Sequence, residues 1–242
     1  MQILREYIRV LLLESNTSSK VIFMAGAPGS GKSTIINALG LHGDFEIINP
    51  DVEYENEKIK SNLPFDKTNL VDEYKLLKSA YEDAIEQGDK KSISEIEPEY
   101  LRIRKILSTD AKAFANARSL ASARKKELMA TGANYLVDGT GGNFNEINAQ
   151  VRRLKSIGYD VAMIYNDIDL DSSIARDIFR GKSGGRRLGA KMVTRSHASV
   201  TKNKEKYESL FGQNFIYINS ASSNIDEDIE NAKNQLNIFM AK

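Results

Sequence analysis

Val21-Ile22-Phe23-Met24-Ala25-Gly26-Ala27-Pro28-Gly29-Ser30-Gly31-Lys32-Ser33-Thr34 is the stretch that decides the fold. Its first five residues form an unbroken apolar run, the pattern of a strand buried on both faces. The run breaks into a G-x-x-x-x-G-K-[ST] string over Gly26 to Ser33, with a helix expected to start near Lys32. Glycines at these spacings let backbone N–H groups converge on a polyphosphate, and the helix N-terminus adds positive potential. Lys32 can reach the outer phosphates, and Ser33 can give an oxygen to Mg²⁺. A simple glycine turn between strand and helix would require neither that lysine nor that hydroxyl. Gly26, Ala27, Pro28, Gly29, Ser30, Gly31, Lys32, Ser33 and Thr34 are therefore read as a nucleotide-binding loop.

Outward from this loop, short apolar runs recur at Phe45–Ile48, Tyr135–Val137, Val161–Tyr165 and Phe215–Ile218, separated by stretches long enough for helices. Strands alternating with helices imply right-handed crossovers and a parallel, helix-covered sheet. The expected architecture is an α/β, five-stranded parallel sheet of the P-loop NTPase and kinase type. More than eighty residues from Asp51 to Asn134 carry helix-like apolar spacing and predict an inserted helical segment, about residues 55–130. Gln87-Gly88-Asp89 and Glu97-Pro98 read as turns or helix starts that divide it. Ser222 to Asn224 is a candidate cap for a last helix with Ile225, Ile229, Ala232, Leu236 and Phe239 on one face.

Composition bounds the chemistry. The 242 residues, 41% hydrophobic and 28% charged, fit a globular chain, which at this length should bury roughly 70% of its unfolded surface. No cysteine is present, so disulfides, thiolate catalysis and Cys-based zinc sites are excluded, and two histidines alone do not make a three-His centre. Apolar runs such as Val10–Leu13 are too short to cross a membrane, and Glu14 ends that run without a small-residue cleavage pattern. A cytoplasmic protein with oxygen-bound metal and no membrane partner is the expectation. Charge is +1 overall but unevenly spread: Asp44–Glu99 holds sixteen acidic against seven basic residues, and Arg176–Lys206 ten basic against two acidic.

The residues that close the strands separate several P-loop chemistries. An ATPase motor would show Asp-Glu at the end of a strand, whereas the third strand here ends Val137-Asp138-Gly139-Thr140. Asp138-Gly139-Thr140-Gly141 matches a GTPase D-x-x-G, but Asn203-Lys204-Glu205-Lys206 lacks the closing Asp of N-K-x-D. A kinase needs a base on the acceptor side and cations that gather round the transferring phosphoryl. Asp51 comes after the second strand in Ile47-Ile48-Asn49-Pro50-Asp51, at the strand edge where open α/β sheets bind ligands; it can serve as that base or as a helix cap. Arg176, Arg180, Lys182, Arg186, Arg187 and Lys191, interleaved with Gly181, Gly184, Gly185 and Gly189, suit a mobile arginine lid over about residues 176–195. A solvated basic surface and general RNA affinity are the competing readings of that segment.

In order, Ala25–Thr34, Ile47–Asp51, Tyr135–Thr140, Leu154–Tyr165, Arg176–Arg187 and Phe215–Asn219 resemble the zeta-toxin family of P-loop kinases. That resemblance implies ATP- and Mg²⁺-dependent phosphorylation of a hydroxyl, on a UDP-activated N-acetylamino sugar in the characterised toxins. It implies that Lys32 binds phosphate, that Ser33 and Asp138 hold the metal, that Asp51 is the base, and that Arg180 and Arg187 are the lid arginines. Acceptor contacts would come from Asp51, Asp110, Thr140, Arg176 and Arg186, and an antitoxin would be a partner. Asp138 and Gly141-Gly142-Asn143 depart from the family's Glu-Gly-Thr and its more basic continuation. The tailed-phage polynucleotide 5′-kinases are similar in the same places, which adds an oligonucleotide end as acceptor. A non-catalytic nucleotide-binding or virion protein is the contrasting class. Residues 1–18 carry Leu4, Ile8, Leu11 and Leu12 at helical spacing and read as a packed helix, or as a phage-type leader ending in Leu12-Leu13-Glu14 that would place the protein in a virion.

Overall fold

The computed structural model describes residues 18–242, so the expectations for the amino-terminal segment fall outside it. Five strands are present: β1 (Lys20–Ala25), β2 (Glu46–Ile48), β3 (Tyr135–Asp138), β4 (Asp160–Asp167) and β5 (Phe215–Asn219). They form one parallel sheet in the order β2-β3-β1-β4-β5. Each strand predicted from an apolar run lies within two residues of the observed one. The helices are α1 (Lys32–Ala38), α2 (Pro50–Lys60), α3 (Thr68–Gln87), α4 (Lys90–Thr131), α5 (Phe144–Ser156), α6 (Leu170–Lys182), α7 (Ala190–Thr201), α8 (Lys204–Phe211) and α9 (Ile225–Met240).

The chain divides into two compact units. One comprises the described residues through Ile48 with Arg124–Ser173 and Val193–Lys242; the other comprises Asn49–Ala123 and Ile174–Met192. The first holds the sheet. Its central strand β1 is buried at every position, because both of its faces are covered and both of its edges are paired, to β3 and β4. Ile22 and Met24 face a core with Ile35 and Ile36 of α1 and Ala232, Leu236 and Phe239 of α9. On the alternate positions of the strand, Phe23 lies against Phe211 of α8. The last helix therefore packs where its apolar face predicts. Its expected side-chain cap is absent: Asn224 occupies the cap position without capping, and Asp226, Glu227 and Asp228 in the first turn complement the helix dipole instead.

The second unit is helical. Gly88 ends α3 in the left-handed conformation, φ 67°, and Asp89 accepts the N–H groups of Lys91 and Ser92 at the start of α4, as the Gln87-Gly88-Asp89 reading requires. The Glu97-Pro98 reading is corrected: Pro98 lies inside α4, which runs unbroken for 42 residues. A proline there removes one backbone bond and costs about 3 kcal/mol. Packed contacts lie on both sides of it. Tyr74 and Tyr81 stack on Tyr100 at 5.7 and 4.9 Å between ring centroids, and Tyr81 Oη donates to Glu97.

Candidate active site

In the first unit, the loop predicted from the sequence is a strand-turn-helix. Ser30 N–H donates to the Ala27 carbonyl at 3.1 Å, and Gly29 has φ 78°, the signature of a type II turn with Pro28 at its second position. Gly31, at φ 84°, is the N-cap of α1. A Cβ on Gly26 would sit 2.6 Å from both the Asn166 carbonyl and Ser30 Oγ, so only glycine fits there. Lys32 lies at the first position of the helix and donates to the Gly26 carbonyl at 3.1 Å; Ser33 and Thr34 come next, both exposed. The backbone N–H groups of the turn and of the helix start are the polar groups that a polyphosphate needs.

Asp138 closes β3, buried, and Thr140 is exposed two residues on. The Thr140 carbonyl accepts the Gly26 N–H at 3.1 Å, which ties the end of β3 to the first glycine of the loop. Ser33 and Asp138 provide the hard oxygens that suit Mg²⁺, an ion that keeps waters and substrate phosphates for most of its shell. Among the described residues no group of three or more His, Cys, Asp or Glu side chains gathers as a metal site.

The Gly141-Gly142 continuation is a packed corner. A Cβ on Gly141, at φ 75°, would meet the Ala25 side chain at 2.6 Å. Its carbonyl accepts from Tyr207 Oη at 2.7 Å, and Asn203 Nδ2 donates to the Gly142 carbonyl at 3.0 Å. Asn203 thus holds the backbone of this corner.

In the second unit, Asn49 is the N-cap of α2: its side chain accepts from Asp51 N–H at 2.8 Å and from Val52 N–H, with Pro50 at the first helical position. Asp51 is therefore not the cap. Its carboxylate is 56% exposed and pairs with Arg186 Nη1 at 2.9 Å. Arg186 lies over the Tyr54 ring, 5.4 Å from its centroid, and its Nε is buried without a hydrogen-bond partner. Arg187 Nε is in the same condition.

Asp110, the expected acceptor contact, is 5% exposed and occupied. It accepts from Tyr54 Oη at 2.5 Å, pairs with Lys58 Nζ at 3.2 Å and is bonded to Lys67. Tyr54 and Lys58 are four apart on one face of α2, so a single helix delivers both. Burial and then the bond to Asp110 push the Tyr54 phenol well above its ordinary range. Burial pushes the Lys58 ammonium down, against the pull of Asp110. This cluster supports the Arg186 and Asp51 pair from beneath through Tyr54.

The arginine segment is more firmly held than its glycines imply. Gly184 and Gly189 supply left-handed turns, but a Cβ on Gly181 would press on the Arg187 stem at 3.0 Å, and one on Gly185 on the Arg180 stem at 2.8 Å. The buried carboxylate of Asp177, which the sequence reading missed, accepts the N–H groups of Leu188 and Gly189 and pairs with Arg180 at 3.4 Å. An acid between Arg176 and Arg180 was its only signal. Arg176 is exposed on the same helix.

The predicted residues thus fall into two groups. The loop, Asp138 and Thr140 belong to the first unit; Asp51, Asp110, Arg176, Arg180, Arg186 and Arg187 belong to the second.

No protein-family model matches the sequence, and no curated protein matches it. Solved structures do share the fold. A proposed kinase from Chloroflexus aurantiacus superposes with a TM-score of 0.50 at 12% identity, covering 90% of this chain and 98% of that one. The AvrRxo1-ORF1:-ORF2 structure with ATP superposes at 0.54 with 16% identity, covering 86% of this chain and 56% of that one. The same pair of proteins with sulphate ions gives 0.55 at 15% identity. This chain spans about half the length of the AvrRxo1 protein. What these structures share with this chain is the fold, a five-stranded parallel sheet covered by helices.

Proposed function

We propose that the protein is an ATP- and Mg²⁺-dependent phosphotransferase that phosphorylates a hydroxyl. One observation carries the reading: Asn49 caps α2, which leaves Asp51, three residues past β2, an exposed carboxylate held by an arginine and available as a base. Lys32 and the loop amides bind phosphate, and Ser33 and Asp138 would hold Mg²⁺, which supplies charge neutralisation when bound. Asp51 takes the proton of the acceptor hydroxyl, and Arg180, Arg186 and Arg187 supply positive charge as negative charge builds on the phosphoryl oxygens. Acceptor contacts are assigned to Asp51, Arg176, Arg186 and Thr140, with Asp110 acting through Tyr54 rather than by touch.

A UDP-N-acetyl sugar is the leading acceptor on the family resemblance. A 5′-hydroxyl nucleic-acid end is favoured by one specific feature: Phe179, 72% exposed, lies on α6 among Arg176, Arg180 and Lys182 and offers a base-stacking face. The AvrRxo1 structure contains a second protein, and an antitoxin-like partner is proposed here by that analogy. Among the described residues no helix is long and apolar enough to cross a membrane.

A γ-³²P transfer assay against UDP-sugars, nucleosides and 5′-hydroxyl oligonucleotides tests the reading; label on none of them, with ATP bound, makes the protein a non-catalytic nucleotide binder. For the right acceptor, Asp51→Asn should lower kcat about 10²–10⁴-fold and leave the ATP affinity within about twofold. Full turnover in that variant removes Asp51 from the base role. An oligonucleotide acceptor also requires KM to climb steeply with salt.

A further inference from the structure

Three polar side chains outside the loop bond to its carbonyls. Asn166 Nδ2, at the end of β4, donates to the Ser30 carbonyl at 2.8 Å, and Ser220 Oγ, just past β5, lies 2.7 Å from the same oxygen and 2.8 Å from the Asp167 carbonyl, its one hydrogen shared between the two. Ser173 Oγ, in the first turn of α6, donates to the Pro28 carbonyl. Asn166 and Ser173 are fully buried. In a trans peptide the C=O and the following N–H point in opposite directions. Fixing the Pro28 carbonyl therefore fixes the Gly29 N–H, and fixing the Ser30 carbonyl fixes the Gly31 N–H.

The Pro28–Gly29 peptide is the central peptide of the type II turn. Rotating it by half a turn converts type II to type I and reverses its N–H. Gly29, whose φ absorbs half of the change, imposes little conformational resistance to such a flip. The structure assigns Asn166, Ser173 and Ser220 as positioning residues: they hold two loop peptides so that the Gly29 and Gly31 N–H groups face the bound phosphates. This rests on the nucleotide-binding reading and names what orders the loop for it.

The donor is the point at Asn166. Its Nδ2 is bonded and its Oδ1 is buried without a partner, so the side chain is kept for the hydrogen it gives. Asp at this position has the same shape and would set a carboxylate oxygen against the Ser30 carbonyl.

The test is calorimetric titration of the full chain with ATP and with inorganic tripolyphosphate, which contacts only the phosphate loop. The Ser173→Ala and Ser220→Ala double variant should bind both about 10- to 100-fold more weakly, with a melting temperature within about 3 °C of the parent. Ser173→Thr with Ser220→Thr, which keeps both hydroxyls, should recover most of the loss. Asn166→Asp should be weaker than Asn166→Ser for tripolyphosphate. Parent-like binding in the double alanine variant overturns the assignment while leaving nucleotide binding intact. An equal loss in the threonine variant overturns it too, since packing would then be the cause. A parent that binds neither probe overturns the nucleotide reading, and the assignment with it.

Discussion

Lys32→Ala should lower phosphoryl transfer at least about 10²–10³-fold, the effect of removing one preorganised charge donor from a water-excluded site. The fold should survive the change. Lys32 is the first residue of α1, partly exposed, and the helix is anchored by Ile35 and Ile36, which are buried in the sheet core with no contribution from the lysine. Its ammonium donates to the Gly26 carbonyl across the loop and so lies at its mouth. Transfer should be followed with γ-labelled ATP beside a melting curve. Turnover within tenfold of the parent, in a protein that melts normally, would show that the lysine carries none of the phosphoryl charge. Arg would restore charge but not geometry, since its planar fork is longer and differently aimed.

The largest stability effect belongs to the second unit. Asp110→Asn should remove about 3–5 kcal/mol, because it leaves the fully buried Lys58 ammonium without its carboxylate partner, beside the Pro64 and Phe65 carbonyls and the Tyr54 and Phe65 rings. Denaturant titration with a fluorophore in that unit would read the loss; a midpoint unchanged from the parent would mean that the Lys58 charge is relieved elsewhere. The same carboxylate contributes to the acid limb. Burial alone would raise its pKa, but bonds from Lys67 and Tyr54 and the charges of Lys67 and Lys58 outweigh burial and hold it below the usual carboxylate range. The unfolded chain then takes up that proton at a higher pH than the folded one. Its contribution is complete above the ordinary range and drains away as pH falls through and below it. In Asp110→Asn that slope should flatten; an equally steep acid limb in the variant assigns it to other carboxylates.

The parts of this molecule legible in the sequence are those set by local periodicity and by steric necessity. The run Val21–Ala25 can only be a doubly covered strand, and the glycines after it are fixed by backbone geometry, so the sheet and the loop were both readable. Pro98 misled because a breaker is judged locally, whereas the tyrosine stack packed beside it is made by residues from α3. Asp51 illustrates the same limit: its sequence position allowed a helix cap, and only the Asn49 hydrogen bonds show that its neighbour takes that place. Asn166 and Ser173 left no pattern, since their partners are backbone atoms far along the chain. Buried polar groups of this kind arise from the demand that each find a partner, and that demand is met in three dimensions.

The place of β1 at the middle of the sheet has a consequence during synthesis. Val21 pairs with Tyr135 and with Val161, so a ribosome that has completed the phosphate loop has yet to make either neighbouring strand. The nascent chain must carry the apolar run Val-Ile-Phe-Met-Ala unpaired for about 110 codons. Chaperone engagement of the emerging polypeptide, rather than the stability of the finished protein, should set how much of it reaches the native state in a cell.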